Sequence, residues 1–189
     1  MIDLERCRIV TFSFDPAAYG PDVADLLALD GGGRREMPLA GGACSTGEAR
    51  RRIEAGGSAA LFPRSRAPQA AIAGLLVYFS LMDEAHTVAQ RDENQDNNFW
   101  HGIVHRREPD AGNAGYWFRR VGAHAVFPAL REGAARLGVD FGPRWDPFAF
   151  IDLCERARRR PGSDEEAKAR AVQLVEWQLL FDYCARPAE

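Results

Sequence analysis

From Ala67 onward the chain repeats apolar residues at helical spacing, divided by prolines, glycines and capping residues. That rhythm predicts a long helix over about 67–90, then the polar loop Arg91-Asp92-Glu93-Asn94-Gln95-Asp96. A second helix starts near Asn98 and must stop before Pro109, because the residue ahead of a proline avoids the helical region. Asp110 caps a third helix that ends at Gly122, and Pro128 fits the first turn of a fourth that closes at Gly138. Asp146-Pro147 opens a fifth, ending around Pro161-Gly162. Ser163 with Glu166 forms a capping box for a last helix to about Ala185.

The first part of the chain is less regular. Val10, Phe12 and Phe14 alternate with Thr11 and Ser13, a period-2 pattern that suits a short strand, with Ala59-Ala60-Leu61-Phe62 as its only candidate partner. Pro21 to Leu29 suits a short helix, and Ser45 with Glu48 opens another that ends near Gly56. Gly31-Gly32-Gly33 lacks the spacing of a phosphate-binding loop and reads as a flexible connection. The expected fold is therefore mainly α: one domain over 1–189, an irregular helical bundle with a loop-rich N-terminal layer (1–62), a helical core (67–186) and at most one short β-strand pair.

Composition narrows the partners. The net charge of −3 argues against a nucleic acid or polybasic membrane partner, both of which need an excess of Lys and Arg. The longest uncharged stretch, Ala67 to Met82, is shorter than the roughly 18 residues of a membrane span. Cys7, Cys44, Cys154 and Cys184 form no C-x-x-C pair, and Met1-Ile2-Asp3-Leu4-Glu5 lacks the basic and apolar regions of a secretion signal. Reduced thiols in a cytoplasmic protein are the expectation.

All four histidines fall between positions 86 and 124. If the long helix is continuous, Asp83 lies about 20° and His86 about 40° from Ile72 on the apolar stripe of Ile72, Leu75, Leu76, Phe79 and Met82. A carboxylate and an imidazole facing a core are costly unless paired or bound to something. On the next helix His101 and His105 are one turn apart, with Glu108 on the same face if the helix persists. Two readings compete. In one, Asp83, His86, His101 and His105 hold a divalent transition metal (Zn, Fe, Mn or Ni), since helix bundles build metal sites from carboxylates and imidazoles at i, i+3 and i, i+4. In the other, the same residues form a buried hydrogen-bonded network without metal. No H-E-x-x-H pattern is present, and on spacing alone the network is the commoner arrangement.

A second constellation is basic and aromatic. Arg106, Arg107, Glu108, Trp117 and Arg120 offer guanidinium forks and an indole face to an anionic or planar small molecule. The simpler alternative pairs these arginines with nearby acids and leaves Trp117 in the core. Arg156, Arg158, Arg159 and Arg160 read as cations complementing the end of a helix.

The segment His101-Gly102-Ile103-Val104-His105-Arg106-Arg107-Glu108-Pro109-Asp110, with Asn113-Ala114 and Tyr116-Trp117-Phe118-Arg119-Arg120, resembles a signature of an uncharacterised family of bacterial hypothetical proteins. The resemblance is confined to this stretch and carries no assigned activity. The expectation that emerges is a metal-dependent small-molecule enzyme with a His/Asp/Arg pocket. Its alternatives are a metal-free binding module for an anionic or planar metabolite, and a structural or interaction protein with a buried polar network. Enzyme or not, and in what oligomeric state, the sequence leaves open.

Overall fold

Prolines and capping side chains decide where most of the helices begin. The computed structural model describes residues 13–187, within which nine α-helices follow one another: α1 (Pro21–Ala28), α2 (Gly47–Leu61), α3 (Pro68–Tyr78), α4 (Met82–Ala89), α5 (Gln95–Arg107), α6 (Ala111–Val121), α7 (Phe127–Arg136), α8 (Pro147–Arg158) and α9 (Asp164–Ala185). Asp110 caps α6 by accepting from the Asn113 amide at 3.0 Å, and Asp146 caps α8 by accepting from Phe148 at 2.9 Å. Ser163 accepts from Glu166 at 3.2 Å, while the Glu166 carboxylate reaches back to the amide of Gly162 at 2.6 Å, closing the box one residue upstream of its usual partner. α5 starts at Gln95, earlier than the periodicity suggests, because Asn94 is its cap.

The mainly α bundle is as expected, and α3 and α9 form its centre. Residues 70–78 of α3 are all buried, so this helix is enclosed rather than amphipathic. Gly74 in its middle is required by close approach: a Cβ there would come within 2.8 Å of both Phe181 and Trp100. The Gly74 carbonyl in turn accepts from the Trp177 indole at 2.7 Å. Around this contact the apolar side chains of all nine helices form one contiguous cluster.

The candidate strand finds no partner in residues 59–62, and the expectations for α2 and for the triple glycine are corrected. No strand forms among the described residues; an isolated bridge between Ser65 and Pro187 is the one β-type pairing there. Val10 and Phe12 lie outside the described residues, Phe14 packs as an isolated aromatic against Tyr19 and Trp177, and Ala59–Leu61 complete the last turn of α2. α2 itself is capped by Thr46 and continues past Gly57, whose positive φ of 59° interrupts it. The triple glycine is not a loose connection either. It forms a 3-10 turn in which Gly33 is buried, and a Cβ on Gly33 would collide with the Phe14 ring.

The correction that matters most for the site is at Ser80. The helix expected over 67–90 is two helices, with Ser80 between them at φ 58°. The Leu81 amide donates to the Leu76 carbonyl at 2.8 Å and the Ser80 amide to Val77 at 3.2 Å. This is a Schellman stop with serine in the left-handed position that glycine normally takes. The phase of α3 therefore does not carry into α4.

Candidate metal centre

α5 places His101 and His105 one turn apart on one face, and α4, redirected at Ser80, brings His86 to meet them. One ring nitrogen from each of the three imidazoles lies within 4.8 Å of the others. The His86 ring stands nearly perpendicular to both partners, with centroids 4.5 Å from His101 and 5.1 Å from His105. The His101 and His105 rings lie 4.9 Å apart and nearly parallel. Trp117 of α6 stacks on His101 at 3.9 Å and 16°.

His101 is 2% exposed, and neither of its ring nitrogens has a hydrogen-bond partner among the described residues. Burial, reinforced by His86 and His105, drives its pKa down to about 3 from the usual 6.5. It is neutral at any physiological pH and offers one lone pair and one N–H, both unused. Burial also lowers His105, although Glu108 works in the opposite sense. The Glu108 carboxylate sits 3.2 Å from His105 Nδ1 but poorly aligned for a hydrogen bond. A carboxylate there favours a proton on Nδ1 and leaves Nε2 for a metal, the arrangement that commonly orients a ligating histidine.

His124 shows what a satisfied buried histidine looks like in the same molecule. Its Nδ1 accepts from the Val126 amide at 3.3 Å and its Nε2 faces Asp96 at 2.9 Å, so both nitrogens are occupied by protein. The three clustered imidazoles instead bring one ring nitrogen each to within 4.8 Å of the others, with both nitrogens of His101 unpartnered. Three imidazoles so grouped could hold a divalent transition ion.

Of the expected ligands, Asp83 is not brought into this group. It is exposed and borders, with Glu84 and Glu108, a shallow surface cavity of about 440 Å³. The reason is the break at Ser80: the angle measured from Ile72 holds only along an unbroken helix. Nor do Arg106 and Arg107 face a ligand. Arg106 is 1% exposed and forms a two-pronged pair with Glu176 of α9, its guanidinium 4.4 Å above the Phe150 ring. Arg107, fully buried, donates to the carbonyls of Val77 (2.6 Å), Gly41 (3.0 Å) and Pro38 (3.2 Å) and to Ser80 Oγ (3.1 Å). Both hold the fold together. Glu108 and Trp117 touch the histidines, as orienting partners rather than as a substrate fork. Arg120 lies 5.6 Å over the Trp117 ring and pairs with Glu93.

No family model matches the chain, and neither a curated protein nor a solved structure matches it.

Proposed function

We propose that this protein is a metal-dependent small-molecule enzyme in which His86, His101 and His105 bind one divalent transition ion, with Zn first among Zn, Fe, Mn and Ni because three imidazoles are a familiar catalytic donor set for it. The observation that carries the reading is His101: a buried imidazole with both nitrogens unpartnered, turned toward two others within 4.8 Å. Leaving such groups unsatisfied costs about 1–3 kcal/mol each, and a bound cation would relieve the share due to the lone pair of His101. Protein supplies three ligands, so the fourth position is available to water or a substrate oxygen. An ion so held polarises a carbonyl or lowers the pKa of its water toward neutrality.

Glu108 would keep the His105 tautomer, and Trp117 would fix the His101 ring plane. Of the three arginines expected to orient an anion, Arg106 and Arg107 are enclosed in the core, and Arg120, which is exposed, would take that role by exchanging its pair with Glu93. The reading is tested by the metal content of protein purified without chelator and by titration of the stripped protein with Zn²⁺. The expected result is one ion per chain in the wild type and loss of that stoichiometric site in His101→Leu. A wild type that takes up no ion above the His101→Leu background refutes it.

A further inference from the structure

Across α6 from the histidines, a larger cavity opens between α6, α7 and the start of α8. Its volume is about 740 Å³, within the range of small-molecule sites, and its walls are mostly apolar and aromatic: Phe127, Trp145 and Phe148 are among them. Three arginines complete the lining, Arg119 from α6, Arg131 from α7 and Arg144 from the loop before α8. Among the described residues none of the three lies within ion-pair distance of a carboxylate. Arg131 spends only its Nε, on the Gly142 carbonyl at 3.1 Å. The single acid in the wall, Glu132, lies 3.9 Å from Arg136. Trp145 is 5% exposed, and its Nε1–H has no acceptor among the described residues.

Aromatic walls with an uncompensated positive rim have a complementary ligand class. We infer that this cavity binds an amphipathic organic anion, a molecule with a planar or acyl apolar body and one carboxylate, sulfonate or phosphate group. The body is buried against Phe127, Trp145 and Phe148, and the anion is met by Arg119, Arg131 and Arg144, whose forks suit such groups. The aromatic walls supply affinity for any apolar molecule of this size, whereas the arginines select the anion. Phe148, an aromatic residue left 41% exposed at the first turn of α8, is covered by the same ligand.

The site is independent of the metal centre, so it is tested in excess chelator. The probes are 8-anilinonaphthalene-1-sulfonate and its uncharged relative N-phenyl-1-naphthylamine, followed by fluorescence titration of the native chain. The sulfonate is expected to fill one saturable site per chain and to bind more tightly than the neutral probe. Reversing Arg119 and Arg144, both exposed, in the double variant Arg119→Glu, Arg144→Glu is expected to weaken the sulfonate about tenfold and the neutral probe less than about twofold. Absence of saturable binding, or sulfonate affinity unchanged in a double variant with wild-type circular dichroism and melting temperature, overturns the inference. If the double variant melts early, the milder Arg144→Gln decides, with an expected loss of about threefold for the sulfonate and none for the neutral probe.

Discussion

Two neighbouring sets of buried polar side chains on α5 receive opposite treatment. Arg106 and Arg107 are charged and fully enclosed, and their terminal nitrogens are answered: Glu176 takes both of those on Arg106, whose Nε is left over, and four protein oxygens take Arg107. His101, on the same helix, is a neutral imidazole whose two nitrogens no protein group claims, and His105 beside it has only the poorly aligned Glu108 carboxylate. The difference teaches how to tell scaffold from site. A satisfied buried polar group has finished its chemistry; an unsatisfied one marks a site only where others of the same chemistry are gathered beside it, as the imidazoles are here.

The comparison breaks most visibly at Arg106. Arg106→Met leaves the Glu176 carboxylate buried and alone, and the expected loss is about 3–5 kcal/mol in urea unfolding. The double variant Arg106→Met, Glu176→Leu should recover most of it. Were the single variant as stable as the wild type, the pair would not be the anchor described above.

A smaller effect separates the two sets by pH. In the metal-free chain His101 titrates near 3 when folded and near 6.5 when unfolded. The unfolded chain therefore takes up a proton that the folded chain refuses, and stability falls as pH drops from about 6.5 toward 3, with a slope of at most about 1.4 kcal/mol per pH unit for one such group. His86, His105, Glu108 and Asp110 surround the same point, and His105 shifts in the same sense. The check is the difference in unfolding free energy between wild type and His101→Leu, measured in chelator from pH 7.5 to 4.5. That difference should move in favour of the variant as the solution is acidified.

The smallest effect is the most telling. At pH 8 without metal, His101→Leu is expected to change stability by less than about 1 kcal/mol, because it removes two unpartnered nitrogens along with the ring packing. A loss comparable to that of Arg106→Met would place His101 with the scaffold.

Much of this molecule is written locally. Asp110, Asp146 and Ser163 announce their helices because a cap depends on residues two or three positions away. His101 and His105 share a face for the same reason, and His86 was within reach as soon as α4 lay beside α5. Asp83, Arg106 and Arg107 lie apart from the site for a different cause. The stop at Ser80 has no glycine or proline to mark it; the left-handed turn is held by Arg107, distant in sequence, donating to Ser80 Oγ and to the Val77 carbonyl. Glu176, the partner of Arg106, is 70 residues away, and no spacing rule spans that gap. Arg119, Arg131 and Arg144 each look like ordinary surface charges until two helices and a loop bring them to one rim.

The serine turn also has a bearing on selectivity. Because Arg107 donates to both Ser80 Oγ and the Val77 carbonyl, the direction from which His86 approaches α5 is set by the core of the fold. Were the ion proposed above to bind there, one that demands six neighbours would have to find the remainder in solvent.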